Sequence, residues 1–296
     1  MRKHRKNYKF FENFSYFVPG AGQIAVLILL FVCGSLIGSG LIALLSMISG
    51  IGITVEYATL ISYPISFIPP MVYAMSVSHR NEFFEPRFPL DSSNFGKTGG
   101  AVLAVLAVAA TFAAGVMTDL ANSVMPDMPE WLENAMEQLT GGNFWINLIC
   151  VSIFAPICEE WLCRGMFLRG LLHYRKKDGT RGIGPMWAIV ISAALFALIH
   201  GNPWQAVPAF IIGLLMGYVY YKTGSLKLTM LMHCANNTLA LTAGHIDALK
   251  DAENWIDILG TRMYGIVFVA SGLLLVLILR VFERIPQKED ADGQAA

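Results

Sequence analysis

Along this chain, stretches of mostly apolar residues alternate with short polar runs. A helix crosses the hydrocarbon of a bilayer with roughly 20 apolar residues. On that criterion the pattern predicts membrane helices near 22–49, 57–78, 98–121, 143–172, 185–200, 203–221, 226–244 and 262–282. The implied fold class is all-α: a polytopic membrane bundle of about eight transmembrane helices. The polar runs divide it into an N-terminus (1–21), a first group of helices with an outer amphipathic segment (22–142), a core (143–244), and an outer loop with the last helix and tail (245–296). Within 127–139 apolar and acidic residues alternate at helical spacing. This predicts a short helix that either lies on the outer membrane surface or is an ordinary solvated loop helix. His200-Gly-Asn-Pro203 breaks the chain just after a histidine, so the fifth span is expected to end inside the protein. The polar tail after Pro286 reads as disordered.

Composition strengthens the membrane reading. Of 296 residues, 55% are hydrophobic and 14% charged, against about 25% charged in soluble domains. The net charge is zero, and no basic amphipathic tract is present, which argues against a nucleic-acid partner. With the N-terminus placed in the cytosol, 19 of the 21 Lys and Arg fall in inner segments when Arg164 and Arg169, in the inner part of the long fourth helix, are counted with them, and only Lys250 and Arg262 fall outside. The outer segments are acidic, with Asp119, Asp127, Glu130, Glu133, Glu137, Asp247, Asp251, Glu253 and Asp257. This positive-inside asymmetry predicts a cell-membrane protein with both termini cytosolic. Met1-Arg-Lys-His-Arg-Lys resembles the basic end of a signal peptide, but the apolar run after it is too long and lacks a clear small-residue cleavage site. It reads as an uncleaved first helix. Cys33, Cys150, Cys158, Cys163 and Cys234 lie in apolar spans without metal-motif spacing and read as small apolar fillers.

An ionisable residue inside a membrane span is costly and is a functional hypothesis by default. Spans one to three carry almost none. Glu159, Glu160 and Arg164 lie on span four, His200 ends span five, and His233 and Asn237 lie on span seven. Successive helical residues are about 100° apart, so the two carboxylates diverge, whereas Glu160 and Arg164, four apart, share a face and suit an ion pair. Glu159 is left free to face another helix. Counted back from the turn at 175–184, Glu159 and His200 both lie about 24 Å along their helices, and His233 lies roughly 14 Å in from its own inner turn. The three can therefore meet if helices tilt. His233 and Asn237 share a face and offer the donors of an oxyanion hole. Phe196, one turn before His200, would pack against the imidazole. Taken singly, each histidine or asparagine fits an interhelical hydrogen bond and Glu160–Arg164 fits a structural pair; two Glu, two His and an Asn on three helices are harder to explain as packing. Arg169, Lys222 and Lys227 read as interface anchors. Trp145, Trp187, Tyr218, Tyr220, Tyr221 and Tyr264 read as an aromatic belt or core.

These residues resemble the motifs of one family, the CAAX-protease and bacteriocin-processing (Abi) membrane endopeptidases, which include the type II CAAX prenyl endopeptidases. Its patterns Glu-Glu-x-x-x-Arg, Phe-x-x-x-His and His-x-x-x-Asn stand here, in order, as Glu159-Glu160-x-x-x-Arg164, Phe196-x-x-x-His200 and His233-x-x-x-Asn237. The resemblance covers about residues 145–244, a third of the chain. It implies an intramembrane endopeptidase, a hydrolase in which Glu159 and His200 activate water, His233 and Asn237 stabilise the oxyanion, and Glu160 and Arg164 support them. The family has been described both as metal-free and as metalloproteases. Glu159, His200 and His233 would make an adequate zinc set, but there is no His-Glu-x-x-His motif, and the metal-free mechanism is favoured. The implied partner is a peptide or protein substrate in the lipid bilayer, such as a prenylated tail or a bacteriocin-like peptide. Two rivals stand beside this reading: a non-catalytic bacteriocin-immunity protein, and a proton-coupled transporter built on the same buried Glu and His. The clustering of the polar residues, without paired broken helices, argues against transport.

Overall fold

In the computed structural model, residues 10–246, 249 and 254–286 are described, and they contain no β-strand. The basic run Met1–Lys6, the acidic residues Asp247, Asp251 and Glu253, and the tail beyond Pro286 lie outside the described residues.

Every expected span is a helix. The helices are α1 (Ala21–Ser49), α2 (Val55–Asn81), α3 (Gly100–Asn122), α4 (Glu130–Thr140), α5 (Phe144–Leu172), α6 (Pro185–Leu198), α7 (Pro203–Thr223), α8 (Leu226–Gly244) and α9 (Trp255–Glu283). Six of them, α1, α2, α3, α5, α7 and α9, are long and apolar enough to cross a membrane. The other two expected spans are different. α6 is apolar but only 14 residues long, about 21 Å at 1.5 Å per residue. α8 has 19 residues, but Lys227, His233, Asn236 and Asn237 dilute its apolarity. The expected count of about eight thus resolves into six full spans and two helices that complete the bundle. The chain is an all-helical multi-pass membrane protein.

α1 and α2 form an antiparallel hairpin whose closeness depends on glycine. A Cβ at Gly34 would fall 2.5 Å from the Ser66 carbonyl oxygen, and one at Gly38 would fall 2.8 Å from that of Ser62. This is the small-residue contact by which membrane helices gain dispersion and backbone proximity. α5 runs beside α2, α6 and α8. Around it, Phe14, Phe17, Phe67, Trp161, Phe167, Ala188 and Phe196 form one buried apolar cluster. Ala107, Ala110, Met216, Met232 and Phe282, from α3, α7, α8 and α9, form a second.

At the end where α1 begins, a short 3-10 helix (Phe10–Phe14) and the loop 82–99 fold across the bundle. Asp91 caps α8 there, accepting from Ser225 Oγ at 3.2 Å and the Leu226 amide at 3.1 Å and pairing with Lys227 Nζ at 2.8 Å. Arg169 corrects an expectation. It is not an interface anchor: it is 2% exposed and donates to the backbone carbonyls of Gly165 at 2.8 Å and Phe14 at 3.2 Å, and also to those of Phe17 and Phe88. Among the described residues it has no carboxylate partner. A buried guanidinium is tolerable when carbonyls occupy most of its five donors; here four carbonyls do so, and they tie α5 to the N-terminal segment and to the loop 82–99. Lys227, by contrast, keeps an exposed side chain.

At the opposite end α4 follows its predicted position. Trp204 Nε1 donates to the Pro126 carbonyl at 2.8 Å, which lays the 123–129 loop beside the start of α7. Trp131 of α4 is exposed while Leu132 is buried.

Candidate active site

α5 is not a uniform α-helix. Its α-helical stretches are interrupted by π-helical turns at Cys150–Phe154 and Trp161–Leu168. Such wide turns are rare and occur frequently at functional sites. The six-residue stretch Ala155–Glu160 between them carries both carboxylates, and both are buried, Glu159 at 7% exposure and Glu160 at 0%.

The two diverge as adjacent helical residues must. Glu160 Oε1 accepts from Arg164 Nη1 at 2.7 Å and lies 3.1 Å from His233 Nδ1. Arg164 is wholly buried; its Nη2 reaches the Gly213 carbonyl of α7 at 3.1 Å, and its guanidinium lies 4.4 Å from the Phe196 ring centroid. Glycine at 213 permits this approach, because a Cβ there would sit 3.2 Å from Phe196 Cδ1. Ion pair, carbonyl and ring together offset the desolvation of the charge.

Glu159 turns the other way, toward α2. Its Oε1 accepts the phenol proton of Tyr63. Its Oε2 has no hydrogen-bond partner and faces His233 Nε2 at 3.9 Å, beyond hydrogen-bond distance. His233 is buried, so one imidazole stands between both carboxylates.

Phe196 connects the histidines. Its ring lies edge-on to His200 at 5.0 Å and to His233 at 5.4 Å between centroids. His200 is half-buried, and its Nδ1 lies 2.8 Å from the Phe196 carbonyl oxygen. A carbonyl only accepts, so Nδ1 carries the proton and a neutral ring keeps its lone pair at Nε2. No hydrogen bond or ion pair joins His200 to Glu159. Asn237, one turn beyond His233, donates its amide to the Val151 carbonyl at 2.8 Å, within the first π turn of α5, and accepts from Asn236 at 3.2 Å.

The structure thus gathers Glu159, Glu160, Arg164, Phe196, His200, His233 and Asn237 from three helices, with Glu160–His233 and Phe196 as the links. Among the described residues no group of three His, Cys, Asp or Glu side chains is placed to hold a metal ion.

Tyr63 is the site residue that sequence reading passed over. α2 was expected to carry almost nothing ionisable, and a phenol in an apolar span reads as core. In the sequence only the small residues Ser62 and Ser66 on either side of it hint at a close helix approach, which the structure realises against Gly38 and Gly34.

Comparison with known proteins adds two matches. Residues 141–239 match the sequence model of the Rce1-like type II CAAX prenyl endopeptidases. This covers all three motifs and bears out the resemblance they carry; at family level it supports a membrane endopeptidase. The chain is also 29% identical over 94 residues to UPF0177 protein YaiF of Lactococcus lactis subsp. lactis (strain IL1403), a stretch that spans 31% of this chain and 38% of that relative. No solved structure matches. Tyr63 lies outside the segment that the family model covers.

Proposed function

We propose that the protein is an intramembrane endopeptidase that hydrolyses a peptide bond with a water activated by Glu159 and His200. The observation that carries this reading is the contrast between two carboxylates that each bury one oxygen without a hydrogen-bond partner beside the His233 imidazole: Glu160 is paired with the Arg164 guanidinium, whereas Glu159 is held only by a neutral phenol. A carboxylate so placed can take a proton from water as the oxygen attacks the scissile carbonyl. His200, with its lone pair at Nε2, orients the water by accepting its second hydrogen, and Glu159 returns the proton it has taken to the leaving amine as the C–N bond breaks.

His233 and Asn237 serve the tetrahedral oxyanion. His233 is held at Nδ1 by Glu160 and turns its Nε2 edge toward Glu159 and the reacting carbonyl. Asn237 keeps one amide hydrogen for substrate while the other holds Val151. Glu160 and Arg164 position His233. Both termini lie in the cytosol by the distribution of Lys and Arg. The substrate is a membrane-associated peptide or protein, of the class of a prenylated Cys-a-a-X tail or a bacteriocin-like peptide.

The test compares membrane-associated peptide termini in cells carrying the wild type with those carrying Glu159→Gln at matched expression. Termini that vanish in the variant support the reading and name the substrate. Identical termini under several growth conditions would overturn it.

A further inference from the structure

Glu159 works only if its carboxylate is aimed, and nothing on α5 aims it. Glu160 has Arg164 and His233; Glu159 has a bond only from another helix. That bond is the Tyr63 phenol on α2. The bond takes Oε1 and leaves Oε2 toward His233 Nε2. From its geometry we infer that Tyr63 is a positioning residue, which fixes the rotation of the Glu159 carboxylate so that Oε2 is the oxygen presented to water. The inference rests on the endopeptidase reading above.

Three features place Tyr63 for this role. Its ring packs on Phe67 with centroids 5.4 Å apart, and Phe67 packs on Phe31 of α1 at 5.0 Å. Phe67 is wholly buried, so the phenol sits on a rigid base. The depth of α2 is set on either side of Tyr63 by the contacts of Gly34 with Ser66 and of Gly38 with Ser62. The phenol supplies one proton and no charge, so it holds a carboxylate without the strong neutralisation that Arg164 gives Glu160. The neighbouring carboxylates are thereby divided: one is held by a cation and stays a support, and the other is held by a neutral donor and stays available.

Two readouts on the full-length protein in lipid nanodiscs test this. 3-Fluorotyrosine at position 63 gives a fluorine resonance that reports on the phenol whether or not the protein cleaves anything. It is expected to shift with Glu159→Gln and to stay still with Glu283→Gln, an exposed residue at the far end of α9. No shift with Glu159→Gln would overturn the contact. Tyr63→Phe keeps the ring and removes the hydroxyl. On a quenched peptide built across a terminus that wild-type cells make, it should lower kcat about 10- to 100-fold, the scale set by small misplacement of a reacting group, with KM within about twofold of wild type. Wild-type kcat, or a loss confined to KM, would overturn the positioning role even if the fluorine shift is present. If Glu159→Gln itself turns over normally, the endopeptidase reading falls, and the fluorine result alone then stands as a statement of contact.

Discussion

His233 Nδ1 lies 3.1 Å from Glu160 Oε1, the same oxygen that accepts from Arg164 at 2.7 Å. One buried carboxylate oxygen therefore holds both the cation of its own helix and the imidazole of α8. Removing one partner of a buried pair leaves the other charge uncompensated, at a cost of about 3–5 kcal/mol. Arg164→Leu and Glu160→Gln should each lower the thermal midpoint of the detergent-solubilised protein by several degrees. Glu159→Gln, which keeps the Tyr63 contact through an amide oxygen, should leave it nearly unchanged. Equal midpoints for all three would contradict the division between the carboxylates.

Arg169 is the second buried cation, and its role is different. It joins α5 to the carbonyls of Phe14, Phe17 and Phe88, with hydrogen bonds to a charged group worth about 1.5–3 kcal/mol each. Arg169→Met should release the N-terminal segment and the loop 82–99. Limited proteolysis is the check: cleavage within residues 10–20 or 82–99 should become faster while the remaining bundle resists. Unchanged protection would mean that apolar packing of Phe14 and Phe17 is sufficient.

The hairpin of α1 and α2 sets the depth of Tyr63. Gly34→Leu places a side chain against the Ser66 backbone and must separate the helices. The predicted outcome is a fall in cleavage rate comparable to that of Tyr63→Phe, with the protein still inserted in the membrane. Turnover at the wild-type rate would show that α2 reaches Glu159 independently of α1.

Metal content is decided on purified active protein. Elemental analysis should find no stoichiometric zinc, and prolonged chelation followed by dialysis should leave turnover unchanged. One zinc per chain, with activity lost on chelation and restored by zinc, would show that Glu159, His200 and His233 converge on a metal when one is present.

Much of this arrangement was legible in the sequence, because the bilayer makes it so. Apolar length marks the helices, and the cost of burying charge marks Glu159, Glu160, Arg164 and His233 as residues with a reason to be there. The i, i+4 rule gave the Glu160–Arg164 pair despite the π turn between them. The same reasoning misplaced Arg169, since a single-sequence reading places a cation near a span end at the interface and does not see three carbonyls folding back over it. It also passed over Tyr63, whose role depends on a contact between helices that are 96 residues apart in sequence. The count of spans was blurred for a related reason. α6 and α8 each bury one face against neighbouring helices, so they need neither full length nor full apolarity to lie in the bundle.

The proposed mechanism depends on Glu159 as the base. Its most direct test is turnover by purified wild-type and Glu159→Gln protein, reconstituted at matched folded concentration, on the peptide whose terminus the wild type produces. A positioned general base contributes about 10²–10⁴-fold, so the variant should be slower by that factor while binding the peptide with unchanged affinity. A folded Glu159→Gln protein that cleaves within about twofold of the wild-type rate would contradict the account.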